Sequence, residues 1–198
     1  MSAKDFKHIN NILPYQGEVF YFPLFFNKQE SGYYLQRLVE DINWKQEPIK
    51  IFGKEIMQPR LTAWFGDKDY SYSGIKMRSE PFPALLSEIV RKVEKHAGSA
   101  LNSALLNFYR DGKDSMGWHR DNEKELGNNP LIASLSFGAK RKFRMRNYKD
   151  KNISFTIELE HGSLLLMRGE TQHCWEHAVS KTNQLTDPRV NITFRNII

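Results

Sequence analysis

Asn107-Phe108-Tyr109-Arg110-Asp111-Gly112, running on to Gly117-Trp118-His119-Arg120-Asp121-Asn122-Glu123, is the stretch around which this chain of 198 residues is organised. On an extended backbone side chains alternate, so His119 and Asp121 point the same way. An imidazole beside a carboxylate supplies two of the three ligands of a 2-His-1-carboxylate site, which holds Fe(II) and leaves positions open for a cosubstrate and O2. A His-x-Asp pair also occurs in ordinary loops, so the reading depends on what else the chain supplies. A third ligand must come from His161, His173 or His177. His161 precedes Gly162 in an apparent turn, where a surface histidine is the ordinary explanation. His173 and His177 flank Cys174-Trp175-Glu176, and spacing does not separate them.

Near the other end stands Asp187-Pro188-Arg189-Val190-Asn191-Ile192-Thr193-Phe194-Arg195. Period 2 puts Arg189, Asn191, Thr193 and Arg195 on one face of a strand and Val190, Ile192 and Phe194 on the other. Such a strand is either a solvated edge or a functional wall. A guanidinium grips a carboxylate bidentately, so a dicarboxylate bound beside a metal is what the second reading would hold.

The first half reads as two helices and a hairpin. Phe20–Phe26 is an apolar run broken by Pro23, expected to pack on the core as a strand or irregular arm. Asn27–Trp44 has Leu35, Leu38, Val39 and Ile42 at helical spacing. Ile49–Ile56 alternates about Gly53 as a hairpin, and Pro59–Gly66 reads as a strand. Asp67–Gly74 reads as a polar, tyrosine-bearing loop. A second helix runs from near Pro83 to Gly98, with Leu85, Leu86, Ile89, Val90 and Val93 on one face. After Gly98 short strands recur: 104–110, 131–137, 141–146, 153–159, 163–167 and 190–197. Their number and spacing predict an α+β chain whose second half is a sandwich or jelly-roll barrel.

Composition sets outer bounds. The chain is 40% hydrophobic and 13% aromatic, the make-up of a folded protein with one self-sufficient core. No apolar run approaches the roughly 20 residues that cross a bilayer, so no membrane role is expected. The first residues, Met1-Ser2-Ala3-Lys4-Asp5, lack the apolar core of an export signal. A single cysteine, Cys174, fits a reducing compartment. The expected location is cytoplasmic, at the nucleoid in a bacterium or nuclear in a eukaryote, and the expected state is a monomer. A net charge of +6 favours a polyanionic partner.

Taken together, His119-x-Asp121, His177, Arg189-x5-Arg195 and Asn107-x-Tyr109 resemble the AlkB family of Fe(II)/2-oxoglutarate dioxygenases, which are oxidative nucleic-acid demethylases. The resemblance runs from about Phe20 to the last residue. It implies a double-stranded β-helix (jelly-roll) core with N-terminal helices and a nucleotide-recognition lid, in one domain divided near residue 98. It implies Fe(II), 2-oxoglutarate and O2, with iron ligation by His119, Asp121 and His177, and so selects His177 over His173. It implies cosubstrate contacts from Asn107, Tyr109, Arg189, Asn191 and Arg195, one arginine at each end of the dicarboxylate, with Arg195 at the distal one. Tyr70, Tyr72 and Ser73 match the lid over a flipped base, and Glu123 matches the acidic residue that reads its edge. Asn122 departs from the Asp usual in near relatives. An amide donates as well as accepts, whereas a carboxylate only accepts, so base preference at that position stays open.

Ile51-Phe52-Gly53-Lys54 resembles the finger hairpin of members that prefer duplex DNA, with Phe52 as wedge and Arg60 contacting the strand. An inserted apolar side chain offsets stacking lost when a base is displaced; the plain alternative is that Phe52 is hairpin core. The implied activity is oxidation of the methyl group of a cationic base, 1-methyladenine or 3-methylcytosine, releasing formaldehyde, succinate and CO2. Glu123, and Tyr72 stacked opposite His119, would favour the cation. Lys140-Arg141-Lys142-Phe143-Arg144-Met145-Arg146, with Lys149 and Lys151, is either a phosphate track or a solubilising hairpin, and alternation splits its charges between two faces. The partner expected is alkylated duplex DNA. An RNA demethylase would lose mainly the wedge, a hydroxylase of proteins or small molecules would need neither wedge nor lid, and a catalytically silent binding module would not need the ligand set.

Overall fold

The computed structural model describes residues 10–51, 54–67, 70–72, 75–77, 79–184 and 187–198. Strand β1 (Glu18–Phe22) leads into helix α1 (Lys28–Asp41). Asn27 starts that helix in a capping box: its side chain accepts from the Glu30 N–H, and the Glu30 carboxylate accepts from the Asn27 N–H, each at 2.9 Å. The helix stops short of the expected Trp44, because Ile42 is already extended and the Trp44 indole donates back to the Leu38 carbonyl. Its buried stripe is Ser31, Tyr34 and Leu38, while Leu35 and Val39 are only partly covered. Strands β2 (Pro48–Ile51) and β3 (Lys54–Met57) form the expected hairpin, with Ile51 opposite Lys54. Strand β4 (Leu61–Gly66) follows. The segment expected as a plain loop instead begins a second hairpin, β5 (Tyr70–Tyr72) against β6 (Ile75–Met77). Tyr-Ser-Tyr alternation followed by Ser73-Gly74 is a strand-and-turn pattern, which a reading by polarity overlooks. Helix α2 (Ala84–Ala97) runs from Pro83 to Gly98 as anticipated; Gly98 closes it at φ 70°, donating its N–H to the Glu94 carbonyl.

The second half supplies β7 (Ser103–Tyr109), β8 (Met116–His119), β9 (Ile132–Gly138), β10 (Arg141–Asn147), β11 (Ser154–Leu159) and β12 (Ser163–Arg168). A short helix α3 (Thr171–Cys174) then leads to β13 (Trp175–Val179) and β14 (Arg189–Arg195). Two of these, β8 and β13, were not among the strands expected from punctuation. The strands form a six-stranded sheet, β1-β12-β9-β14-β7-β4, and a four-stranded sheet, β11-β10-β13-β8, with every pair antiparallel. The division near residue 98 does not divide the larger sheet, since β1 and β4 from the first half form its two edges.

Packing makes this a layered jelly roll. Val19, Leu105, Ile132 and Leu165 of the larger sheet share one apolar cluster with Phe143, Met145, Trp175 and Val179 of the smaller. The far face of the larger sheet, including Leu106, Leu135, Leu164, Val190, Ile192 and Phe194, packs with Leu38 of α1 and Leu86, Ile89 and Val93 of α2. Strand β14 is therefore no solvated edge. It lies between β9 and β7, and Arg189, Asn191, Thr193 and Arg195 are buried between the sheets at 1%, 7%, 8% and 1% exposure. Among the described residues no helix is long and apolar enough to cross a membrane.

The approach to β14 depends on Gly138, which has φ 91°; a Cβ there would lie 2.2 Å from the Pro188 carbonyl oxygen. Gly138→Ala is expected to introduce about 1–3 kcal/mol of strain. That corresponds to a fall of roughly 3–10 °C in Tm, read by thermal unfolding.

Candidate active site

The register of the smaller sheet sets His177 of β13 directly opposite His119 of β8. The two rings lie 4.2 Å apart, centroid to centroid. Asp121, just past the end of β8, brings a carboxylate oxygen to 3.8 Å from His177 Nε2. One ligand atom from each of the three lies within 4.8 Å of the others. The other candidates stay outside. His173 is exposed on α3, and His161 uses Nδ1 to accept the Gly138 N–H at 2.8 Å.

The electrostatics prepare the cluster for a cation. Burial holds His119 below its usual range and, with His119 beside it, takes His177 down to about 3, so both rings are neutral at physiological pH with a lone pair to give. His119 Nδ1 faces the Gly117 carbonyl at 2.9 Å, which calls for a proton there and leaves Nε2 for a metal. Burial alone would raise the Asp121 carboxyl; Arg195 and the two histidines outweigh it and hold it below the usual range. Two groups that sequence reasoning missed support the ligands. Gln172, buried in α3, accepts the Asp121 N–H at 2.9 Å, and Phe143 stacks on His177 with centroids 5.1 Å apart.

Beyond the cluster a narrow pocket continues between the sheets, walled by Leu105, Met116, Phe143, Met167 and Val179 and floored by the polar side of β14. Asn107, Tyr109, Arg189, Asn191 and Arg195 all line it. Their roles differ from expectation in one respect. Arg195 does not sit at the distal end: its Nη2 is 2.8 Å from Asp121 Oδ1, against the metal cluster. The distal end is held by Arg189, opposite Tyr109 in the strand register and 5.0 Å from that ring's centroid. Arg189 donates Nη2 to Ser136 Oγ at 2.9 Å, while its buried Nε and Nη1 have no hydrogen-bond partner among the described residues. Such donors suit a carboxylate. Asn191 spends its amide on Ser134 Oγ and the Leu135 carbonyl, both at 2.9 Å. Ser134 and Ser136, which sequence reasoning missed, left a signal: two hydroxyls at alternate positions in an otherwise apolar strand.

Arg60 requires a second correction. It is 4% exposed, and its Nε donates to Asn107 Oδ1 at 2.6 Å, so it braces the pocket wall and does not lie open to a nucleic-acid strand. With Oδ1 taken, Asn107 has amide N–H to offer the pocket.

The loop between β7 and β8 is closed by Asp114, 4% exposed, which accepts from the Arg110 backbone N–H and, bidentately, from its guanidinium at 2.8 and 2.9 Å. Burial would raise the Asp114 carboxyl, but Arg110 overrides it and holds the group below its usual range. A depressed folded-state pKa adds stability above the ordinary carboxylate pKa, and that stability is lost as pH falls through the lower folded value. Asp114→Asn is expected to cost about 1.5–3 kcal/mol at neutral pH. Its stability should also fall less steeply than the wild type's below about pH 4, as measured by urea unfolding at stepped pH.

On the side expected to meet a base, Asn122 is exposed and Glu123 half-buried. Tyr70 and Tyr72 bound the short strand β5, while Ser73 and Phe52 lie outside the described residues. The basic run divides as alternation requires: Arg141 is buried, while Lys142 and Arg144 are exposed on the outer face of β10. Lys140 pairs with Glu158. Arg146 and Lys151 share Glu176, and the Arg146 guanidinium lies 3.9 Å from the Trp118 ring centroid.

A jelly roll holding two histidines and a carboxylate at one end of a pocket, with a buried arginine at the other, is the arrangement of a non-haem metal oxygenase. Residues 18–195 match the profile of the 2OG-Fe(II) oxygenase superfamily. The chain is 42% identical over 185 residues to the alpha-ketoglutarate-dependent dioxygenase alkB homolog 3 of Homo sapiens, covering 89% of this chain and 65% of that protein. It is 34% identical over 189 residues to the DNA oxidative demethylase ALKBH2 of Mus musculus, covering 89% of this chain and 79% of that protein. The solved structure of OsALKBH1 matches with a TM-score of 0.66 at 16% identity, covering 95% of this chain and 99% of that one, a likeness of fold. The chain therefore belongs to the 2OG-Fe(II) oxygenase superfamily and, within it, to the AlkB family. It spans just under two thirds of the length of the human alkB homolog 3.

Proposed function

We propose that this chain is one dioxygenase domain that oxidatively demethylates N-alkylated bases in DNA, of the 1-methyladenine and 3-methylcytosine type. The observation that carries the reading is a pocket with a neutral-imidazole and carboxylate cluster at one end and the buried, unmatched donors of Arg189 at the other. His119, Asp121 and His177 are the proposed Fe(II) ligands. Arg189, Tyr109 and Ser136 are proposed to take the distal carboxylate of 2-oxoglutarate, with Asn107 and Asn191 along its length and Arg195 at the metal end. Bound there, Fe(II) with 2-oxoglutarate and O2 supplies the oxidising chemistry, yielding succinate, CO2, formaldehyde and the restored base.

The chain's own residues orient and exclude. Arg195 fixes the Asp121 carboxylate, the Gly117 carbonyl fixes the His119 tautomer, and Leu105, Met116, Phe143, Met167 and Val179 give the pocket an apolar wall that would disfavour water beside a bound cosubstrate. Glu123 and Asn122 are proposed to meet the base edge, with Tyr70, Tyr72 and Ser73 over the base. Lys142 and Arg144 are proposed to meet phosphate, and Phe52 to favour a duplex. Action where DNA is, nucleoid or nucleus, fits this role and the name of the mouse relative, and the chain is proposed to act as a monomer.

The test is mass spectrometry of a duplex carrying 1-methyladenine after incubation with the Fe(II)-loaded chain, with and without 2-oxoglutarate. The expected result is demethylation only when 2-oxoglutarate is present. Unchanged methylated base in duplex and single strand alike would overturn the reading. Phe52→Ala should impair the duplex alone; equal loss on both would remove the wedge.

A further inference from the structure

Arg141 opens strand β10 facing inward and is 4% exposed. Among the described residues its guanidinium donates only to backbone carbonyls: Nη1 to Asp111 at 3.2 Å, and Nη2 to Asp114 at 2.8 Å and Ser180 at 2.7 Å. It thereby fastens the loop between β7 and β8 to the chain leaving β13. The two segments also meet directly. Thr182 donates its N–H to the Gly112 carbonyl at 2.9 Å, and a Cβ on Gly112 would lie 2.6 Å from the Thr182 carbonyl oxygen.

This fastening stands behind Tyr109. The Arg141 and Arg189 guanidiniums lie 5.6 and 5.0 Å from that ring's centroid, and neither arginine takes part in an ion pair among the described residues. Of the loop's two acidic groups, Asp114 is committed to Arg110 and Asp111 accepts the Lys113 N–H. Two buried positive charges thus flank Tyr109, Arg189 lining that end of the pocket and Arg141 standing behind it, with carbonyls, a serine hydroxyl and an aromatic face around them. In a medium of low polarity that end favours an anionic group and gives an uncharged one little.

Resting on the reading of this pocket as the 2-oxoglutarate site, we propose that Arg141 is a positioning residue that sets cosubstrate specificity. It locks the two loops behind Tyr109 and adds a second buried charge at the Arg189 end, so that the pocket selects a 2-oxo dicarboxylate over a 2-oxo monocarboxylate. Arg141 does not line the pocket and acts through Tyr109 and the loops.

The test uses the full chain loaded with Mn(II), titrated calorimetrically with 2-oxoglutarate and with 2-oxobutyrate. Arg141→Gln should weaken 2-oxoglutarate by at least about tenfold, leave 2-oxobutyrate within about threefold, and leave Mn(II) affinity unchanged. Arg141→Lys, which keeps the charge, should retain most of the preference. A Gln variant that weakens both acids equally, or neither, overturns the proposal. Should that variant not fold, hydrogen exchange on the wild type decides. Amides of residues 110–115 and 180–184 should slow on adding 2-oxoglutarate and much less with 2-oxobutyrate, and equal slowing overturns the proposal. A wild type that binds neither acid refutes the cosubstrate reading itself, a result distinct from either.

Discussion

His119→Ala is expected to reduce turnover by roughly a thousandfold or more, through loss of a metal ligand, while changing stability by no more than about 1 kcal/mol. Asp121→Ala should abolish turnover too, but at a cost to the fold of about 3–5 kcal/mol. The difference follows from what each change leaves behind. His119 stands partly exposed, and its ring donates to one backbone carbonyl. Asp121 and Arg195 are each 2% exposed at the side chain and paired at 2.8 Å, so removing the carboxylate takes its paired charge away from a buried guanidinium. Asp121→Asn keeps an acceptor for Arg195 and should recover part of the stability but not the turnover. Succinate release measures the first quantity, urea unfolding the second. Normal turnover by His119→Ala would falsify the metal assignment.

The same pair shows how far the sequence could be read. Alternation along β14 separates a polar face from an apolar one, and both faces were legible. Which of them meets water was not, because that depends on β9 and β7 pairing on either side, contacts made with segments 51–61 and 80–92 residues earlier. The spacing of Arg189 and Arg195 puts them on one face roughly 20 Å apart along the strand. Period alone cannot say which end lies beside the metal, and Arg195 proves to be the near one. His177 could not be told from His173 by spacing. The distinction is tertiary: one sits in β13 opposite His119, the other on the exposed side of α3. Arg60 misled for a related reason. A cation following a hairpin reads as surface charge until the fold turns it inward onto Asn107. Helices α1 and α2 were legible because capping and periodicity are local, as was the hairpin β2–β3. Strands β8 and β13 carry polar ligands in place of regular apolar alternation, and their short runs hid them.

The largest effect on cosubstrate affinity is expected from Arg189→Met, and it should come without loss of stability. In the chain as it stands Arg189 is 1% exposed, with one hydrogen bond to Ser136 and two buried nitrogens that none of the described residues satisfies. Burial pulls its guanidinium below the ordinary range, Tyr109 opposes this and neighbouring Arg141 adds to it. Arginine nevertheless keeps its proton inside proteins, so the fold carries an under-compensated cation, a strain proteins tolerate at functional sites. Replacing a buried charge with an apolar side chain of similar length is often neutral or stabilising, here by up to about 2 kcal/mol. Binding behaves oppositely. A bidentate carboxylate contact in a dry pocket, once removed, leaves the ligand's own charge buried and unmatched, and affinity for 2-oxoglutarate should fall by about a hundredfold or more. Calorimetry on the Mn(II)-loaded chain and thermal unfolding without ligand read the two quantities separately. If Arg189→Met lowers Tm while leaving 2-oxoglutarate affinity intact, Arg189 is a structural residue and the distal end of the cosubstrate must be sought elsewhere.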